Sequence, residues 1–195
     1  IGAELSIAAK IQTSALPRLF PDRLEFAVFA TMVPAREVGG DFYDFFLVDD
    51  DRLAVVVADV SGKGVPAALF MMTSKTLLHA LAKAGNAPAD VLAEANARLC
   101  ENNEANMFLT AFIGLFQIST GRFVYANAGH NPPLLRRKGE EFQFLKVRPG
   151  FVLAGLEGVR YRQAETVLMP GDLLYLYTDG VTEATNPAEQ LYGEA

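Results

Sequence analysis

The chain has 195 residues, 51% apolar and 21% charged, with a net charge of -6. That length suits one domain with a substantial core, and the acidic balance argues against nonspecific nucleic-acid binding, because no surplus of Lys and Arg exists to displace phosphate counterions. A single cysteine, Cys100, rules out a disulfide framework and fits a cytoplasmic, reducing compartment; no apolar run reaches membrane-spanning length, so no membrane partner is expected.

In chain order, ELSIAAKIQTSALP repeats apolar residues at helical spacing until Pro17 stops it. Residues 1–17 read as the end of a connector from an upstream domain, or equally as a helix docked on the core. LEFAVFATMV (24–33), FYDFFLV (42–48) and LAVVVADV (53–60) are rich in aromatic and β-branched residues and predict strands, with Asp49-Asp50-Asp51 as a solvated hairpin tip. Pro66 opens a helix closed by Gly85, and a second helix follows from Pro88 through Leu99, with Cys100 as a small inert side chain at its end. Strands return in FLTAFIGLFQIST, RFVYANAGH, a hairpin turning at Lys138-Gly139, YRQAETVLM and LLYLYTDG. Strands joined mainly by hairpins, with helices inserted as a block, predict an α+β fold built on antiparallel sheet.

Three acids stand at or just beyond apolar strands and beside glycine: Asp41 in GGDFYD, Asp59 in VVVADVSGKG and Asp179 in LLYLYTDG. Strand ends bring distant parts of a chain to one edge, and an all-oxygen donor set without His or Cys suits hard cations such as Mg²⁺ or Mn²⁺. Asp before Gly is also a common turn pair, so each acid alone has a purely structural alternative. Gly62-Lys63-Gly64 is not a Walker A loop, because Val57 occupies the first glycine position and Gly64 stands where Ser or Thr would bind Mg²⁺. Ser61 has no visible His–Asp partnership to make it a nucleophile. The letters Gly-Gly-Asp-Phe also suggest a nucleotide cyclase, but Tyr43 interrupts the acidic pair such a signature needs.

Together, ALP (15–17), PAREVGGDFYDFF (34–46), VVVADVSGKGVPAALFM (55–71), FVYANAGHNPPLL (123–135) and LLYLYTDGVTEATN (173–186) resemble, in order and spacing, the SpoIIE/RsbU-like bacterial serine phosphatases, a branch of the metal-dependent PPM (type-2C) protein phosphatases. The resemblance implies a β-sandwich of two antiparallel sheets flanked by helices, with two Mg²⁺ or Mn²⁺ ions at one end. It implies that Asp59 bridges the ions, that the Val60 carbonyl binds one, that Asp179 binds the other, and that Asp41 holds a metal directly or through water. Arg36 and Lys63 become candidates for the substrate phosphate. Lys63 stands where many members carry His, and its role is then electrostatic. His130 is assigned to loop ordering and His79 to structure. The implied substrate is a phosphoserine or phosphothreonine on a partner such as an anti-sigma-factor antagonist, in stress or developmental transcription. An upstream sensor or receiver domain would act through the N-terminal helix, with dimerisation as one route. Members also carry a C-terminal helix and strand with an Asp-Asp pair, which the sequence to Ala195 lacks. The alternative expectation is therefore a catalytically impaired domain that serves as a protein-binding module.

Overall fold

A computed structural model describes residues 2–34, 37–101 and 103–193. The backbone hairpins predicted by the β-rich segments form a five-stranded antiparallel sheet in the order β1-β2-β3-β4-β7: β1 Phe42–Leu47, β2 Arg52–Val60, β3 Leu109–Gln117, β4 Arg122–Ala128 and β7 Gln163–Val167. A smaller antiparallel sheet, ordered β6-β5-β8, contains β5 Leu134–Arg136, β6 Phe142–Phe144 and β8 Leu173–Tyr175. Two antiparallel sheets with helices packed against them give the expected α+β class.

Strand alternation assigns the faces. In β2, Ala54, Val56, Ala58 and Val60 join Leu109, Ala111 and Ile113 of β3 in the main core with α2 (Val65–Lys83) and α3 (Pro88–Cys100). Their neighbours of opposite parity, Val55, Phe112, Phe123 and Tyr125, meet Leu135, Leu145, Leu174 and Leu176 in a second core between the sheets. Asp59 has this second parity, and so points to the inter-sheet side at the end of β2.

The helices follow their sequence signals. Pro66 lies in the first turn of α2, where a missing N–H costs nothing, and Gly85 takes φ 86° after its last turn. Although α2 has the length and mean hydropathy of a membrane-span candidate, contrary to the sequence expectation, its Ala67, Met71, Leu78 and Leu81 are buried in the core. It also carries Lys75 inward. Lys75 Nζ lies 2.9 Å from Asp44 Oδ2, and His79 Nδ1 lies 2.8 Å from the same oxygen, with the His79 ring against Phe46. A buried carboxylate on β1 thus receives two donors from one helix, which gives His79 the structural role expected for it.

Two expectations are corrected. Residues 24–33 form no strand: the segment is rich in aromatic and β-branched residues, but a strand needs a hydrogen-bonded neighbour. The segment instead straps the sheet through aromatic contacts, Phe26 meeting Phe116 edge-on and Phe29 stacking on Phe20, which stacks on Phe45. The acidic hairpin tip is also more than solvated. Asp51 accepts hydrogen bonds from Ser119 N, Ser119 Oγ and Gln117 Nε2, tying the β1–β2 turn to the β3–β4 turn.

The first helix, α1 (Gly2–Ala15), ends before Pro17 and is docked through Gln12. That buried amide donates to Gly39 O at 2.6 Å and accepts from Gly39 N at 3.0 Å, gripping the loop that leads to Asp41. Cys100 is half-buried, and burial raises its thiol pKa, which disfavours the thiolate.

Candidate metal centre at the sandwich rim

Asp41 immediately precedes β1, Asp59 is the penultimate residue of β2, and Asp179 opens the four-residue helix α4 (Asp179–Thr182), four residues beyond Tyr175, the last residue of β8. The register places Phe42 opposite Ala58, so Asp41 and Asp59 face each other across the first hairpin. Their side chains share a hydrogen bond. Burial, and then the Asp41 carboxylate, push the Asp59 carboxyl up to about 8, with Asp179 and Glu183 adding to the effect. Asp179 is itself raised, by burial first and then by Glu183 and Asp41, while Lys63 opposes the shift. These fields locate the three acids and Lys63 at one rim. Among the described residues, however, no three His, Cys, Asp or Glu side chains are grouped closely enough to hold an ion unaided. The rim is a hydrogen-bonded carboxylate pair with a third acid beside it.

The approach of the loop to β2 requires the glycine immediately before Asp41, Gly40. A Cβ on Gly40 would come within 2.7 Å of Val60 O, so only glycine lets the loop lie against that carbonyl. Val60 follows Asp59 at the end of β2, so its carbonyl lies against the loop that leads to Asp41. Every donor offered is an oxygen, and the excess negative charge is that of a hard-cation site, so these residues suit Mg²⁺ or Mn²⁺.

Several contributors had no sequence motif to announce them. Thr178 Oγ1 donates to Asp41 Oδ2 at 2.6 Å, which links the third acid's loop to the first. Thr110 lies directly opposite Asp59 in the β2–β3 register and sits 2.8 Å from His130 Nδ1. Asn127 accepts from His130 N at 2.7 Å and donates to His130 O at 2.9 Å. His130 Nε2 lies 3.0 Å from Tyr177 O. Burial depresses the His130 pKa to about 4, so its ring is neutral, and both ring nitrogens are occupied. Through these contacts the ring orders the loop. Thr178 stood one residue from Asp179 and Asn127 inside NAGH; for Thr110 the only available signal was the strand register.

Lys63 is exposed on the turn between β2 and α2, with its positive charge acting on Asp179. Arg36, the other phosphate candidate, lies outside the described residues.

Comparisons with known proteins agree with this architecture. Residues 49–195 match the family model described as Stage II sporulation protein E (SpoIIE). Phosphoserine phosphatase RsbU of Bacillus subtilis is 35% identical over 184 residues, 94% of this chain and 54% of the relative; the chain thus spans about half of that protein. Among solved structures, the SiaA-PP2C domain of Pseudomonas aeruginosa aligns over 99% of this chain and 78% of that one, with a TM-score of 0.79 and 26% identity. The structure of the RsbU and RsbW domains of Rv1364c from Mycobacterium tuberculosis covers 78% of this chain and 42% of its own, with a TM-score of 0.68 and 33% identity. With the family model matched over residues 49–195 and a PP2C structure aligned over nearly the whole chain, the chain belongs to the SpoIIE family, as an RsbU-like PPM phosphatase domain.

Proposed function

We propose that the chain is a metal-dependent protein-serine/threonine phosphatase that hydrolyses phosphoserine or phosphothreonine on a regulatory partner protein. The observation that carries this reading is the Asp41–Asp59 pair: two carboxylates in hydrogen-bond contact, one held up to about 8, at a rim shared with Asp179 and backed by a glycine-exposed carbonyl. Such a pair is stabilised by a cation, and its all-oxygen donors fit two Mg²⁺ or Mn²⁺ ions.

Asp41, Asp59, the Val60 carbonyl and Asp179 are the residues that would hold the divalent metal. Bound there, divalent ions supply an acidified water and neutralise phosphoryl charge, the two requirements for hydrolysing a phosphate monoester. The chain's own residues do the rest. Asp41, fixed by Thr178 and by the Gln12 grip on Gly39, keeps its carboxylate aimed at Asp59. Lys63, exposed and with its charge acting on Asp179, offers an ammonium to the substrate phosphate, the role the resemblance also gives Arg36. No side-chain nucleophile is required.

By analogy with RsbU, the partner is a phosphorylated anti-sigma-factor antagonist, the setting is cytoplasmic stress signalling, and an upstream sensor or receiver domain acts through α1, with a homodimer as one arrangement. The test is Mn²⁺-dependent release of phosphate from a phosphoserine protein by the full-length protein, compared with Asp59→Asn. Loss of release in the variant supports the reading. Failure of wild type to release phosphate while keeping its fold supports a catalytically impaired, protein-binding module instead.

A further inference from the structure

We propose that His130 is a positioning residue whose imidazole, oriented by Thr110 and Asn127, fastens the end of the β8 segment to the five-stranded sheet and so sets where Asp179 stands relative to Asp41 and Asp59. The proposal rests on the metal-centre reading above and assigns it a supporting group that does not touch the ion.

The atoms dictate the orientation. Tyr177 O can only accept, so His130 Nε2 carries the hydrogen that spans their 3.0 Å separation. Nδ1 is then the acceptor for the Thr110 hydroxyl at 2.8 Å. Asn127 holds the main chain on both sides of the ring through a two-way amide contact. The path runs from β3, at the residue paired with Asp59, through the ring to the carbonyl two residues before Asp179. It crosses from the larger sheet to the continuation of the smaller one, next to the Thr178–Asp41 bond that crosses the same gap. His130 is 5% exposed with both nitrogens engaged, so substrate cannot use it. Its effect reaches the chemistry only through the position of Asp179. Supporting hydrogen bonds of this kind typically govern metal affinity by tenfold or more.

Two substitutions separate the ring's two ends. Gln at position 130 places an amide nitrogen where Nε2 stands, and Asn places its polar atom near Nδ1. Manganese titration calorimetry on the full-length protein, with the metal-free melting temperature as the folding control, should show His130→Asn losing about tenfold or more in Mn²⁺ affinity while His130→Gln stays close to wild type. Thr110→Val should weaken Mn²⁺ binding similarly and Thr110→Ser should restore it; this pair carries the test if the His130 variants do not fold. Equal losses in His130→Gln and His130→Asn, or wild-type affinity in Thr110→Val, would overturn the proposal. Asp59→Asn is the control: if it loses Mn²⁺ binding while His130→Asn does not, the positioning role alone is wrong. Unchanged binding in Asp59→Asn overturns the metal-centre reading itself.

Discussion

Thr178 and Asp41, 137 residues apart in the chain, are joined by a 2.6 Å hydrogen bond from the threonine hydroxyl to a carboxylate oxygen. The bond closes the rim: it attaches the loop carrying Asp179 to the loop carrying Asp41. Removing the hydroxyl with Thr178→Val should therefore lower Mn²⁺ affinity about tenfold and reduce metal-free stability by about 1–3 kcal/mol, the range for hydrogen bonds to charged groups. Thr178→Ser should recover most of both. Calorimetric titration and urea melts measure the two effects separately.

Asp59 sets the pH response. Its folded-state pKa, about 8, lies above the ordinary carboxylate value of 3.8, so between those two pH values the folded metal-free protein holds a proton that the unfolded chain has released. Metal-free stability should thus fall as pH rises from about 4 to 8 and level off above that. Asp59→Asn removes this slope and should be more stable than wild type near pH 8, although it loses metal-dependent activity. Urea denaturation of metal-free protein across that pH range checks the sign; a wild-type profile rising toward pH 8 would contradict it.

Gly40 should tolerate no side chain. The Cβ of Gly40→Ala would sit 2.7 Å from Val60 O, and neither backbone segment can yield easily. The substitution should cost about 1–3 kcal/mol and displace Asp41 from Asp59, lowering Mn²⁺ affinity more than it lowers stability. Gly39→Ala, whose added atom meets only Pro34 Cβ at 3.8 Å, is the matched control. A melting curve and a Mn²⁺ titration for each variant make the comparison.

Asp44 makes a different prediction, because it holds the fold and not the ion. Its carboxylate is buried against Lys75, and Asp44→Leu would leave that ammonium inside without a counter-charge, at about 3–5 kcal/mol. The double variant Asp44→Leu/Lys75→Met removes both charges and should recover most of that loss. Urea denaturation of the single and double variants measures the difference.

How legible each part was in the sequence follows from what its residues need. The β1–β2 hairpin and the Pro66-initiated helix are local: alternation, turn residues and a proline at a helix start each act within a few positions. The acids Asp41, Asp59 and Asp179 could be found because each sits with glycine at a strand end. Residues 24–33 misled because aromatic and β-branched richness suits a pleated surface but says nothing about whether a neighbouring backbone is there to pair. Asp44 with Lys75, and Thr110 with His130, were invisible for the opposite reason. Their partners lie 31 and 20 residues away on other elements, and no local periodicity encodes a contact between elements.

Asp41, Asp59 and Asp179 would together hold divalent cations. Anomalous diffraction from crystals of the full-length protein soaked in Mn²⁺ tests it most directly. Peaks at about 2.1 Å from the Asp59 carboxylate, with Asp41 and Asp179 drawn into the same coordination sphere, are the expected result. A map with ordered side chains at all three positions and no Mn²⁺ among them would contradict it.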